Sequence, residues 1–547
     1  MERLCKTTRI VTVNGQFPGP TLEVKNGDSL VIKVVNGVKY NATIHWHGVR
    51  QMRNGWADGP AYVTQCPIKY GESYTYRFNI EDQEGTLFWH AHSPWMRSTV
   101  YGAIVIRPKG NSPYPFPKPD TEALVILGEW WIKEFIEMAE KALDSGAAPD
   151  FSDALLINGQ PGDLFNCSSK GMLAYSSKLM VFLLSEFEIY LKIRQNTQNI
   201  NVIRAAAGET VLLRFINAAI VTHQFVAIAG HPMTVVAVDA SYTKPFTTPY
   251  LMLGAGQTAD VLIHTNQPGG RYYIAAHAYR SGSPLIPIDN STATAILDYD
   301  PIFPPLPASD DHDAVAAFNA GLKSPARVNI PAPVDQHLFI TLALGLLNCP
   351  PGKLCGGLLG NRDSSSMNNI SFVLPTKQSL LQAANYGQSD VFSADFPEIP
   401  PAKFDYTGNN SDPSLFRPIR ATKIYRLKYG SVVQVVLQGT SILSVEEHPI
   451  HIHGYDFYVL AMGKGNYEEE RDSAKFNLVD PPRRSTVGVP AGGWAAIRFR
   501  ADNPGVWFVH CHMDFHLEWG MMTAFLVENG AGEMESTLPP PADLPRC

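Results

Sequence analysis

LEVKNGDSLVIKVVN, residues 22 to 36, alternates apolar and polar side chains on both sides of a Gly27-Asp28 turn. That is the period-two pattern of half-buried antiparallel strands. The phrase returns as IRAAAGETVLLRFIN at 203 to 217 and as YRLKYGSVVQVVLQG at 425 to 439, with Gly27, Gly208 and Gly430 in register. One strand-turn-strand unit is therefore used three times.

The second half of the unit repeats as well. GESYTYRFNIEDQEGTLFWHAH, GQTADVLIHTNQPGGRYYIAAHA and GGWAAIRFRADNPGVWFVHCH each run from a glycine through a strand to another turn glycine and a second strand. Counting on from Gly85, Gly270 and Gly505, the same position holds His90, Ala275 and His510. The middle unit reads as a spacer that lacks what the outer two keep. RPKGNSPYPFPKPD at 107 to 120 and the proline-rich, acidic DYDPIFPPLPASDDHD at 298 to 313 are linkers. They divide the chain into domains at 1–115, 116–305 and 306–547, three consecutive β-sandwiches in an all-β protein.

Composition agrees with that class. The 547 residues are 45% hydrophobic and 17% charged, with 42 prolines and 43 glycines marking frequent turns. A net charge of −7 without a long basic run excludes a nucleic-acid footprint and an anionic membrane surface. The most apolar run, MLAYSSKLMVFLL at 172 to 184, is broken by Lys178 and falls short of the roughly 20 residues a bilayer span needs. It belongs to a longer stretch, 171 to 199, that reads as an insert in the middle domain, its apolar half arguing for packing. Five Asn-X-Ser/Thr sequons, at Asn41, Asn166, Asn290, Asn369 and Asn409, fit the secretory pathway, so a removed signal is expected ahead of MERLCKTTRI.

Ten of the sixteen histidines fall in four short clusters: HWHG at 45, HAH at 90, HPIHIHG at 448 and HCHMDFH at 510. Residues i and i+2 of a strand leave the same face about 7 Å apart, a spacing that grips neighbouring metal ions. The metal follows from the last cluster. One thiolate with two imidazoles and a weak axial methionine is the copper electron-transfer set, and Cys511, His516, Met521 and His448 could supply it. Cys511 points away from the face that His510 and His512 share, so one strand can serve two sites. Setting Cys511 aside leaves six cysteines, an even number that permits disulfides throughout; Cys349 and Cys355 flank a short turn and could close a small loop.

With these clusters the chain resembles the blue multicopper oxidases, and among them the plant laccases. The likeness covers nearly the whole length, through IVTVNGQFPGPTLEV, NATIHWHGVRQMRNGWADGPAYVTQCPI, GTLFWHAHSPW, HPIHIHGYDFYVL and WFVHCHMDFHLEWGM. It implies cupredoxin-like Greek-key domains and four copper ions. The type 1 copper would take His448, Cys511 and His516, with Met521 as the distant axial neighbour. The resemblance gives His45 and His451 to the type 2 copper, His47, His90 and His512 to one type 3 copper, and His92, His453 and His510 to the other. Phenols would give up electrons singly at His516 and Cys511, and dioxygen would be reduced to water among the eight histidines. Asp58 in GWADGP and Asp514 in HCHMDFH are the candidate proton donors.

The resemblance further implies phenolic substrates such as monolignols, with dioxygen as co-substrate, for a monomer secreted into a plant cell wall or apoplast. Some fungal laccases carry an acid on a middle-domain loop, and NAAIVTHQFVAIAGH at 217 to 231 offers none. His223 could substitute there, but it reads as a solvated loop histidine. An ascorbate oxidase shares the ligand pattern and is the nearest alternative. A ferroxidase would want acids near the type 1 site, for which only Glu446 and Glu447 qualify. A noncatalytic wall protein would have no reason to keep ten clustered histidines and Cys511.

Overall fold

The computed structural model describes residues 1–165, 200–268, 270–282, 288–298, 305–408 and 412–547. The stretch from 171 to 199, read above as an insert, lies outside them. Strands predominate and gather in three successive parts of the chain. The first part has a four-stranded sheet, in the order Leu22–Lys25, Tyr101–Arg107, Gly85–Ala91, Ile44–His47, facing the antiparallel pair Ser29–Val35 and Ser73–Asn79. Their inward side chains, among them Leu30, Trp46, Tyr76, Phe78, Leu87 and Ile104, form one core. The middle part packs a six-stranded on a five-stranded sheet, and the last an eight-stranded on a five-stranded sheet. Each has its own apolar core drawing on both sheets. The architecture is three cupredoxin-like β-sandwiches.

The repeated turn glycines are structurally equivalent. Gly27, Gly208 and Gly430 have φ of +99°, +85° and +78°, the region open to glycine at least cost. Their N–H groups donate to Ile80, Thr265 and Ala501 carbonyls at 2.8, 2.8 and 2.7 Å. One expectation is corrected here. The strands flanking each turn do not pair with one another; the chain crosses at the glycine from one layer of the sandwich to the other. Leu22–Lys25 runs parallel to Tyr101–Arg107, Asn201–Ile203 parallel to Thr292–Leu297, and Tyr425–Leu427 parallel to Met522–Val527. Alternation reports only which face is buried, and so could not reveal this partner or its direction.

Helix is sparse. The linker expected at 298–313 runs into the helix His312–Gly321, whose N-cap Asp311 accepts from the Ala314 N–H at 2.9 Å. Cys349 and Cys355 are disulfide-bonded, as the short turn between them allows, and a second bridge ties Cys66 to the terminal Cys547. Cys5 is also disulfide-bonded, whereas Cys511 is a buried free thiol. Among the described residues no helix is long and apolar enough to cross a membrane.

Candidate metal centre

Strand register brings the histidines together. In the first domain His45 stands opposite His90 in the antiparallel pair Ile44–His47 and Gly85–Ala91. In the third, His451 stands opposite His510 between His448–Ile452 and Gly505–Cys511. The matching pair in the middle domain is Ala227 opposite Ala275. Cross-strand neighbours on one face lie about 4.5–5.5 Å apart at Cβ. Two such pairs, one from each outer domain, therefore make a cage when the domains meet. His45 and His453 approach to 4.0 Å between ring centres, and His47 and His451 stack at 3.9 Å.

Within this cage the ligand atoms of His47, His90 and His512 lie within 4.8 Å of one another, as do those of His92, His453 and His510, and those of His45, His47 and His451. On the other face of the Gly505–Cys511 strand, His448, Cys511 and His516 form a fourth group within the same limit. Nδ1 of His516 is 3.6 Å from Cys511 Sγ and 3.2 Å from His448 Nδ1. Ile450 is the residue opposite Cys511. Met521 is fully buried in the core that holds Cys511, and its carbonyl accepts the Cys511 N–H at 3.1 Å.

The donor set fits metal ions. His45 Nε2, His90 Nε2, His92 Nε2, His451 Nε2 and His512 Nδ1 are buried with no hydrogen-bond partner. Such orphans are costly unless something else takes their lone pairs. In four of the cage rings Nδ1 is anchored on a backbone carbonyl. Nδ1 of His45 donates to the Asp58 carbonyl at 2.8 Å, that of His90 to Ala91 at 2.9 Å, that of His451 to Ser485 at 2.8 Å, and that of His510 to Cys511 at 2.8 Å. These bonds select the tautomer and leave the inward nitrogen free to ligate. Burial, reinforced by the neighbouring rings, holds His47, His90, His92, His451, His453 and His512 well below the usual histidine range. His448 and His510 are pushed down to about 3, again chiefly by burial. They are neutral imidazoles, the ligating form.

His516 moves the other way. Burial opposes its charge, but Cys511 Sγ and Glu446, whose Oε2 is 3.2 Å from Nε2, together raise it to about 10. Cys511 Sγ and His448 Nδ1 thus crowd the ring nitrogen where a cation is wanted.

Both candidate acids lie inside, not in solvent. Asp58 is fully buried; Oδ2 accepts from His453 Nδ1 at 2.9 Å and Oδ1 lies 3.3 Å from His45 Nδ1. Its Asp-Gly turn is forced, because a Cβ on Gly59, at φ +99°, would sit 1.9 Å from the Ile44 carbonyl oxygen. Asp514 is ion-paired with Arg97. Burial raises its carboxyl although Arg97 opposes the rise. Asp514 and Arg97 line a cavity of about 290 Å³ whose inner wall is His90, His92, His510 and His512.

Sequence reasoning missed four contributors. Arg97 donates to the carbonyls of Ala219 (2.6 Å), Ile220 (3.1 Å) and His512 (2.8 Å), clamping the middle domain to the cage. Gly256, in the middle domain, lies against the His512 ring. Thr486 Oγ1 is 3.1 Å from both His47 Nε2 and His451 Nδ1. Glu518 shares the 290 Å³ cavity with Asp514 and is raised by burial and by that neighbour to about 8. Only Glu518 had a local signal, its place two residues after His516.

His223 is corrected: it is buried, 2% exposed, with Nδ1 3.8 Å from Glu447 Oε1. The middle domain's packing on the third covers this loop. Glu446 and Glu447 diverge, the first to His516 and the second to His223. A cavity of about 860 Å³ opens between the middle and third domains, lined by Tyr279, Val315, Val445, Glu447, Leu460 and Met462 among others.

Comparison with known sequences agrees with this arrangement. Sequence families described as multicopper oxidase match residues 1–111, 121–301 and 395–531. The chain is 55% identical over 559 residues to Laccase-3 of Oryza sativa subsp. japonica, covering all of this chain and 94% of that one. It is 55% identical over 557 residues to Laccase-12 of Arabidopsis thaliana, with the same coverage of 100% and 94%. Among solved structures, the laccase from Botrytis aclada superposes with a TM-score of 0.72 at 25% identity, covering 98% of this chain and 86% of that one. Fet3p, described as a multicopper oxidase that functions in iron import, shares the fold, with a TM-score of 0.71 at 22% identity over 99% of this chain and 95% of that one.

Proposed function

The chain belongs to the multicopper oxidase family and is a laccase-type, copper-dependent oxidase, and on that premise we propose that it binds four coppers and oxidises phenols, monolignols among them, with dioxygen as oxidant. His448, Cys511 and His516, with Met521 beyond them, would hold the type 1 ion. His45 and His451 would hold the type 2 ion. His47, His90 and His512 would hold one type 3 ion and His92, His453 and His510 the other. Copper bound in these sets would supply single-electron acceptance from phenol and the four-electron reduction of dioxygen to water.

The chain's own residues do the rest. The observation that carries the reading is the buried free thiol of Cys511 grouped with His448 and His516 while its sequence neighbours His510 and His512 join the cage. Two peptide bonds therefore link the two sites covalently. At the substrate end, His516 Nε2 is in contact with Glu446 Oε2 at 3.2 Å, an acceptor beside the ring edge. Among the described residues Glu446 is the carboxylate in contact with His516, an acceptor suited to a phenolic proton. Val445, the residue before Glu446, lines the cavity of about 860 Å³ with Leu460 and Met462, and these apolar side chains suit an aromatic ring. At the oxygen end, Asp58 Oδ2 holds the proton of His453 Nδ1 and keeps Nε2 facing inward. Asp514, beside the cage histidines and paired with Arg97, is positioned to hold or pass a proton in the cavity.

Secretion into the cell wall, as a monomer, completes the proposal; the disulfides Cys66–Cys547 and Cys349–Cys355 suit an oxidising compartment. Copper-supplied expression tests it: four coppers per chain, an intense blue absorption lost in Cys511→Ser, and dioxygen uptake with a methoxyphenol. A colourless protein, or one that turns over ascorbate but not phenols, rejects the assignment.

A further inference from the structure

Three of the five sequons, at Asn41, Asn290 and Asn369, fall among the described residues, and the fold treats them differently. Asn369 sits at φ +62° in the tight turn between Arg362–Met367 and Ile370–Phe372, its Oδ1 buried without a partner. The residue as a whole is half-buried. Asn290 is exposed. Asn41 is exposed as well, but on a fixed base: Ala42 bridges to Ile68, and the Thr43 N–H donates to Ser93 Oγ at 2.9 Å. Asn41 also lines the cavity of about 290 Å³ whose inner wall is formed by His90, His92, His510 and His512. Tyr62, Pro67 and Pro375 give that cavity a firm lip.

We propose that Asn41 carries an N-linked glycan planted at the lip of this cavity, shading the route by which dioxygen and small anions reach the eight-histidine cage. The inference rests on the secretory reading above. In the transfer, Asn41 Nδ2 loses a proton and bonds to the anomeric carbon of a lipid-diphosphate-linked oligosaccharide, and the bond from that carbon to the phosphate breaks. Transfer to the nascent chain precedes folding, so the later burial of Thr43 is no obstacle. The held base keeps the attachment point beside the cavity.

The test uses secreted, copper-loaded protein. Glycopeptide mass analysis is expected to find Asn41 and Asn290 occupied. Asn41 bare overturns the proposal; failure to recover the protein from the medium overturns the secretory reading, and this proposal with it. Azide association at the copper cage, followed spectroscopically, is then compared before and after endoglycosidase trimming of the folded protein. Trimming is expected to speed it, as removal of a bulky surface group from the approach should, and Asn41→Gln is expected to match the trimmed protein while Asn290→Gln does not. Equal rates before and after trimming overturn the shading role.

Discussion

Gly256 of the middle domain meets His512 so closely that a Cβ placed on it would come within 2.9 Å of the imidazole ring. The domain without histidine clusters thus supports a ring of the cage directly. Neighbouring contacts extend that support: Gln257 Nε2 donates to the Thr486 carbonyl at 3.2 Å, and the Asp514 N–H donates to Ile220 at 3.1 Å. The Ile220 loop is itself fixed by Glu129, which accepts the N–H groups of Ile220 and Val221 at 2.6 and 3.2 Å. The middle domain is a wall of the site as well as a spacer.

Gly256→Ala should therefore damage the cage from outside. At φ +85° the alanine carries backbone strain of about 1–3 kcal/mol, and its methyl group must also displace His512. Copper analysis should show metal lost from the cage, while the blue absorption of the His448, Cys511 and His516 site persists. Full copper content with an unchanged melting temperature would mean that the contact relaxes without consequence.

Asp58→Asn should separate the two half-reactions. The amide can still accept from His453 Nδ1, but it carries no charge and brings a donor toward His45 Nδ1, which already donates to the residue 58 carbonyl. Loss of such an outer partner typically costs about 10–100-fold. Anaerobic bleaching of the blue colour by a phenol should keep its rate, whereas recovery of the colour on admitting dioxygen should slow by that factor. Unchanged reoxidation would remove Asp58 from the oxygen chemistry.

Much of the site was legible because its chemistry is local in sequence. His-X-His on a strand places two rings on one face, and His510-Cys511-His512 puts the thiol on the other. The repeated glycines located the equivalent turns, which is why Ala275 could be set against His90 and His510. The residues that were not legible act across domains. Arg97, Gly256 and Thr486 reach the cage through packing between distant segments and leave no periodic trace. The burial of His223 and Asp514 has the same origin, since a loop becomes interior only once a neighbouring domain covers it. The parallel partners of Leu22–Lys25, Asn201–Ile203 and Tyr425–Leu427 were hidden for a related reason: alternation fixes a face and not a neighbour.

The terminal disulfide offers a test of how the outer domains are held together. Cys547 bridges to Cys66, and along the way Leu538 accepts from Trp56 Nε1 at 2.7 Å while its N–H donates to Arg53 at 2.9 Å. The C-terminal tail is thus sewn to the first domain. Cys547→Ser should lower stability by about 2–5 kcal/mol, read as a lower denaturant midpoint. It should also release copper from the shared cage before the His448, Cys511 and His516 site, which lies within one domain. Simultaneous loss of both metals would show that the tail does not couple the domains in this way.

Acid should destabilise the copper-free protein in a defined window. His47, His90, His92, His448, His451, His453, His510 and His512 all lie below the ordinary value of 6.5 in the fold. Above 6.5 they are neutral in both states and stability does not depend on them. Below it the unfolded chain takes up protons that the fold refuses, so each ring removes about 1.4 kcal/mol per pH unit until its folded value is reached. For His448 and His510 that continues to about pH 3. His516, raised to about 10, acts in the opposite sense: its contribution is complete below 6.5 and is lost as the pH rises toward 10. It therefore cannot offset the acid loss. The melting temperature of chelator-stripped protein should fall steeply from pH 7 to pH 5, while the copper-loaded protein should fall less until acid displaces the metal. A stripped protein equally stable at both values would mean that the cage opens to water and its rings titrate normally.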